Sequence, residues 1–269
     1  MSRLKALCDY WFLRPLRCFP GFFLDLLIPH RCPLCGQTTD GCCQSKSFTQ
    51  NSCNTNALAS KGVCAPCFKS FSPIGPGVCN ACGRPFSVLT EKTLLCAGCL
   101  KKKPTLFACR SVFRYGASSR ALLLRLKHGR DLSVLPFLSS VLGGYAGSDA
   151  FDAVVPVPLH WMRRFWRGFN QADLLAKSFC QAQGLKYAPL ILKRIRHTPS
   201  QGMKKRKQRQ ENVKHAFQLS DAHKKSIQGK HILLVDDVLT TGATLNACAA
   251  ELLKGGAKRV SAVTLARVF

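Results

Sequence analysis

Residues 231–244 read His-Ile-Leu-Leu-Val-Asp-Asp-Val-Leu-Thr-Thr-Gly-Ala-Thr, two adjacent carboxylates followed by hydroxyl side chains around one glycine. Thr240, Thr241 and Thr244 offer hydroxyl donors, and Gly242 with Ala243 lets the backbone come close to a ligand. If a helix starts at Thr244, the free N–H groups of its first turn and its macrodipole favour an anion at that end. Asp236 and Asp237 beside such a site repel a polyphosphate chain, yet they accept hydrogen bonds from sugar hydroxyls or hold a bridging cation. The chemistry implied is recognition of a ribose 5-phosphate rather than a nucleoside triphosphate. The chain also contains no Gly-x-x-x-x-Gly-Lys-Ser/Thr sequence.

The surrounding pattern must place that loop. Ile232–Val235 is an apolar run suited to a buried parallel strand, ending at the two acids. Leu245, Cys248, Ala249, Leu252 and Leu253 then fall on one helical face. Further strands are expected at Cys109–Tyr115, Ala153–Val157 and Val260–Ala266, and helices at Ser119–Lys127, Leu132–Leu142 and Ala172–Gln183. Strands alternating with helices argue for an α/β fold, a parallel sheet with helices on both faces. Ligands of such sheets bind at the carboxyl ends of the strands. A second loop there, after Val157, carries Arg163, Arg164 and Arg167 before Gly168-Phe169-Asn170-Gln171, and guanidinium forks match phosphate oxygens. Leu190–Ile195 and Val213–Leu219 suit the arms of a hairpin whose tip holds the basic run Lys204, Lys205, Arg206, Lys207 and Arg209, placed either to fold over a bound pyrophosphate or to grip a nucleic-acid backbone.

Eight of the 16 cysteines form four Cys-x-x-Cys pairs: Cys32/Cys35, Cys64/Cys67, Cys79/Cys82 and Cys96/Cys99. Two such turns complete one tetrahedral zinc site, so four pairs hold two structural Zn²⁺ ions with no open coordination position. Sequential pairing, Cys32/Cys35 with Cys64/Cys67 and Cys79/Cys82 with Cys96/Cys99, is simplest; spacing also permits an interleaved one. The remaining cysteines, Cys8, Cys18, Cys42, Cys43, Cys53, Cys109, Cys180 and Cys248, read as core or solvent residues.

Forty Lys and Arg against 13 Asp and Glu give the 269-residue chain a formal charge of +27. Such a field gathers anionic partners and is a common footprint of nucleic-acid binding. Met1–Ile28 is interrupted by Arg3, Lys5, Arg14, Pro15, Arg17 and Asp25, so it lacks the continuous apolar core of a secretory signal. No segment reaches the ~20 apolar residues of a membrane span. A reducing cytoplasm is the expected compartment; Phe19–Ile28 is expected to dock on the zinc module, the alternative being peripheral contact at the inner membrane. The expected organisation is an amphipathic segment at 1–28, a double zinc ribbon at 29–103 with a polar insertion at 37–61, and the α/β domain at 104–269.

Val-Asp-Asp-Val-Leu-Thr-Thr-Gly-Ala-Thr resembles the phosphoribosyl pyrophosphate (PRPP) motif of type I phosphoribosyltransferases. Several further features make nearly the whole chain resemble the ComF family of competence-associated proteins. They are the double ribbon, Pro156-Val157-Pro158-Leu159, Arg167-Gly168-Phe169-Asn170-Gln171, Thr198 with Gln201, and Arg209-x-x-Asn212-Val213-x-x-Ala216-Phe217. The long insertion at 37–61 departs from the compact first ribbon of that pattern. The resemblance implies a type I phosphoribosyltransferase-like domain and a role in natural transformation, handling single-stranded DNA beside the competence or DNA-uptake machinery. It implies PRPP with Mg²⁺ as ligand. Asp236 and Asp237 would lie on the ribose or its metal, Thr240–Thr244 on the 5-phosphate, and Lys127, Arg163, Arg164 and Arg167 on the pyrophosphate. The basic run 204–209 and the aromatic side chains of Phe165, Trp166 and Phe169 are candidates for a single strand. The alternative is an active phosphoribosyltransferase with Asp236 and Asp237 as catalytic residues; no residue pattern identifies its acceptor.

Overall fold

The computed structural model describes residues 31–38, 62–86, 95–102, 104–129, 131–146, 150–160, 162, 168–196, 213 and 215–269. The expected N-terminal segment at 1–28, most of the insertion, Arg163, Arg164, Arg167 and the basic run 204–209 lie outside these residues.

Two short helices, α1 (Ala65–Lys69) and α2 (Ala97–Lys101), belong to the cysteine-rich region. The α/β part follows as β1 (Ala108–Arg114), α3 (Ala117–Leu124), α4 (Leu135–Ala146), β2 (Ala153–Pro156) and α5 (Gln171–Gln183). A small hairpin, β3 (Leu192–Arg194) and β4 (Phe217–Leu219), precedes β5 (His231–Leu239), α6 (Ala243–Lys254) and β6 (Arg259–Arg267). Four strands form one parallel sheet in the order β1-β6-β5-β2.

Side chains along β5 show how the sheet is covered. Ile232 and Leu234 join a core with Leu245, Cys248 and Leu252 of α6, whereas Leu233 and Val235 join another with Phe137 and Leu142 of α4 and Leu175 and Phe179 of α5. Alternation of period two thus buries both faces, as a parallel sheet requires. The hairpin pairs Leu192 with Leu219 and Arg194 with Phe217, as its two apolar arms predict.

Three local expectations change. β5 does not stop before the acids: it stays paired through Asp236↔Thr264 and Val238↔Ala266 to Leu239, because the nine-residue β6 offers a partner along its whole length. The helix expected to reach Lys127 is α-helical only to Leu124 and then widens into a π-helical turn, Arg125–Gly129. The helix expected at Leu132 opens as a 3₁₀ turn, Leu132–Val134, whose N-cap is the Asp131 carboxylate accepting from Ser133 N–H; α4 follows with Pro136 in its first turn, where a missing N–H costs little.

The cysteine-rich region packs directly on the sheet. Ile74 N–H donates to Val112 and Arg114 N–H to Ser72, so residues 72–74 cover the outer edge of β1. Phe71 stacks against Phe113 and Phe137 at centroid distances of 4.6 and 5.9 Å.

Candidate functional site

The acidic loop lies at the carboxyl end of β5, next to the sheet's central partner β6. Asp236 and Asp237 are half-buried, Thr240 is exposed, and Thr241 to Thr244 are half-buried. Each carboxylate accepts a backbone N–H from its own neighbourhood, Asp236 Oδ1 from Asp237 at 2.8 Å and Asp237 Oδ1 from Val238 at 2.7 Å. Successive side chains leave a strand on opposite faces. Asp236 therefore shares the face of Ile232 and Leu234 beneath α6, and its charge is felt by the buried Cys248 there. Asp237 takes the other face, where Lys127 Nζ lies 2.9 Å from its Oδ2. Burial, followed by the neighbouring Asp237 carboxylate, pushes the Asp236 carboxyl well above the usual carboxylate range.

Lys127 reaches this place from the π-helical turn after α3, across the end of β6 from β1. A π turn carries an extra residue per turn, and such turns concentrate at functional sites. The loop itself is shaped by Gly242 in the left-handed region, φ 76°, which heads α6. Asn246 Nδ2 donates to the Gly242 carbonyl at 2.9 Å, and a Cβ at position 242 would lie 3.3 Å from that same nitrogen. Asn246 is thus a positioning residue that the sequence alone did not single out. Its only signal was a polar amide in the first turn of an otherwise apolar-faced helix.

The second loop starts from β2. Asn170 Oδ1 caps α5 by accepting from Ala172 N–H at 3.2 Å, while its Nδ2 donates to the Val157 carbonyl at 3.0 Å. One asparagine therefore ties the end of β2 to the start of α5 and closes the base of the segment that holds the three arginines. His160, also unremarked in the sequence, is buried there and its Nδ1 accepts from Met162 N–H at 3.3 Å.

The cysteines converge in two groups, Cys32, Cys35, Cys64 and Cys67, then Cys79, Cys82, Cys96 and Cys99, with all sulfurs of a group within 4.8 Å of one another. This is the sequential pairing. Cys35 Sγ and Cys64 Sγ are 3.6 Å apart, and Cys82 Sγ and Cys96 Sγ 3.7 Å. Four thiolates about 2.3 Å from a tetrahedral zinc stand roughly 3.8 Å from each other, so the spacing fits the ion. It is far too long for a disulfide, at ~2.05 Å. Each group supplies four sulfurs, which marks structural and not catalytic metal.

Comparison with known proteins agrees with both halves. The family described as phosphoribosyl transferase domain matches residues 167–268, and the double zinc ribbon domain matches residues 51–101. Cys32 and Cys35 precede the matched stretch and are brought into the first group by the fold. The chain is 33% identical over 221 residues to DNA utilization protein YhgH of Escherichia coli (strain K12), covering 79% of this chain and 93% of that one. It is 31% identical over 218 residues to competence protein F of Haemophilus influenzae, covering 78% and 92%. It is 33% identical over 215 residues to competence protein ComFC of Bacillus subtilis, covering 76% and 84%. No helix among the described residues is long and apolar enough to cross a membrane.

Proposed function

The chain belongs to the ComF family of competence-associated proteins, and from that premise we propose that it binds PRPP at the carboxyl end of β5, binds single-stranded DNA, and supports DNA uptake in natural transformation. The observation that carries the reading is the meeting of Lys127 with Asp237 beside the Thr240–Thr244 loop. A cation, two acids and a helix N-terminus around one loop offer complementary partners for a pyrophosphate, ribose hydroxyls and a 5-phosphate. In this reading Asp236 and Asp237 accept from the ribose hydroxyls, Thr240, Thr241, Gly242, Ala243 and Thr244 hold the 5-phosphate, and Lys127 turns to the pyrophosphate with Arg163, Arg164 and Arg167. Carboxylate oxygens are the ligands Mg²⁺ takes, and the ion would neutralise pyrophosphate charge when bound. The basic run Lys204, Lys205, Arg206, Lys207 and Arg209 offers contacts to a DNA backbone. The workplace is the cytoplasm, with peripheral contact at the inner membrane near the uptake machinery.

The second reading is an active phosphoribosyltransferase, favoured by the presence of both acids with Lys127 in reach. The bond from C1 of the ribose to pyrophosphate would break through an oxocarbenium-like state, an acceptor would bond to C1, and pyrophosphate would leave. Positive side chains would stabilise the departing charge electrostatically. Titration of the zinc-loaded protein with PRPP and Mg²⁺, with pyrophosphate release followed with and without single-stranded DNA, separates the two. Saturable binding without release supports the ligand-binding reading, release above the uncatalysed rate the transferase, and no binding removes both.

A further inference from the structure

At the opposite end of the sheet, about 20 Å down β5 from the acids at ~3.3 Å per residue, the four strand starts bring together side chains that are scattered in sequence. Phe107 precedes β1, His231 opens β5 and Phe151 precedes β2. Their rings form a continuous row, Phe107 to His231 at 5.9 Å and His231 to Phe151 at 4.8 Å, and the Arg259 guanidinium at the start of β6 lies 4.6 Å from the Phe107 centroid. Phe107 is 43% exposed, a large apolar ring that the fold leaves in water. Ala153 and Lys230, close in the chain to Phe151 and His231, line a cavity of about 270 Å³ together with Lys186, Tyr187, Leu190 and His223 among others. This is near the low end of small-ligand sites, roughly 300–1,000 Å³.

Charge decides what the face would accept. Lys186, Lys224, Lys225, Lys258 and Arg259 are exposed and Lys230 is half-buried, against Asp152 and Asp221. Asp152 is already engaged, accepting from His231 N–H at 2.8 Å. The carboxyl ends of α5 and α6 also reach this end of the sheet and bring partial negative charge. Lys186 and Lys258 follow those ends closely and reverse the sign. Aromatic rings interleaved with cations, spread over three strand spacings or about 14 Å, match the stacking and phosphate contacts of a single strand.

We propose that the amino-terminal end of the sheet, from Phe107 and Arg259 across His231 and Phe151 to the cavity at Lys186 and Lys230, is a single-stranded nucleic-acid platform, distinct in place from the loop at Asp236–Thr244. It rests on the DNA-binding reading above and gives that reading a surface among the described residues. A base stacks on the exposed Phe107 ring, the half-buried His231 and Phe151 rings extend that apolar surface, one base enters the cavity, and the lysines follow the backbone.

The test compares the zinc-loaded full chain with its Lys186→Glu/Lys230→Glu variant, using an oligothymidylate longer than the site and fluorescence anisotropy across a salt series. Affinity should fall tenfold or more. The slope of log K against log salt should shrink by about 1.4, at ~0.7 for each single-strand phosphate that the variant no longer neutralises. PRPP affinity and zinc content should not change. Ultraviolet cross-linking of wild type to the same oligomer should yield adducts on the peptides holding Phe107 or Phe151. If wild type binds the oligomer but the variant matches it and the adducts lie elsewhere, this surface is wrong while DNA binding stands. If wild type does not bind at all, the DNA-binding reading falls with it. If the variant loses binding to phosphatidylglycerol vesicles and keeps DNA affinity, the face is a membrane contact and the proposal is overturned.

Discussion

Arg110 grips Asn80 at two points, Nη1 donating to its backbone carbonyl at 2.8 Å and Nη2 to its side-chain Oδ1 at 2.6 Å. Asn80 stands between zinc-site cysteines Cys79 and Cys82, and Arg110 is on β1, so the bond joins a metal knuckle to the sheet edge. Arg267 of β6 reinforces it by donating to the Cys82 carbonyl. Arg110→Ala should cost about 1.5–3 kcal/mol, the range for hydrogen bonds made by a charged group. The loss should appear as a lower melting temperature with zinc content unchanged.

Gly83 follows that knuckle at φ +68°, and a Cβ there would lie 2.6 Å from the Cys109 carbonyl oxygen. Gly83→Ala meets both a left-handed backbone and a main-chain collision. A penalty of at least about 1–2 kcal/mol follows from the backbone alone, and denaturant melts should show it.

Removing metal tests the same joint from the other side. Two zinc ions per chain are expected by elemental analysis. Chelation should expose the aromatic contact of Phe71 with Phe113 and Phe137, lowering the melting temperature and raising binding of an apolar dye.

At the candidate PRPP loop, Asp237→Ala or Lys127→Met should weaken PRPP by about 1.5–3 kcal/mol, tenfold to a hundredfold. Single-strand affinity should stay nearly intact; loss of both together in calorimetric titration would sink the separation of the two sites.

Asp236 carries a pH prediction. Its carboxyl is raised in the folded state by burial and by Asp237, so the folded chain holds that proton more tightly than the unfolded one. Stability contributed by the group is therefore lost as pH rises from the unfolded value, ~3.9, through the folded one. Asp236→Asn should melt a few degrees higher than wild type at neutral pH, with the gap closing in acid, and should lose PRPP affinity. Equal melting at every pH would contradict this account.

The reading of function was legible because its residues are contiguous: Asp236 to Thr244 and each Cys-x-x-Cys declare their chemistry within ten residues. The apolar runs likewise marked the four sheet strands to within a few positions. The continuation of β5 through Asp236 and Asp237 was not legible, since acids are depleted in strands and only the length of β6 holds them there. Nor was the π turn that carries Lys127, because the leucine pattern before it fits an ordinary helix. The row Phe107–His231–Phe151 was hidden for a different reason. Its members belong to separate strand starts, and only the order β1-β6-β5-β2 makes them neighbours.

That order also governs how the molecule comes off the ribosome. Each cysteine group is closed by residues near one another in the chain, so both can take up metal while translation is still under way. The sheet cannot follow the same schedule. β6, made last, lies between β1 and β5, and Ala108 waits for Ser261. β2 can pair with β5 beforehand, but until β6 arrives β1 has no partner strand in the sheet, and the aromatic side chains beneath the first ribbon face an unfinished core. Nascent chains of this protein should therefore depend on chaperones late in synthesis, and ribosomes stalled before β6 should release products that proteases clear.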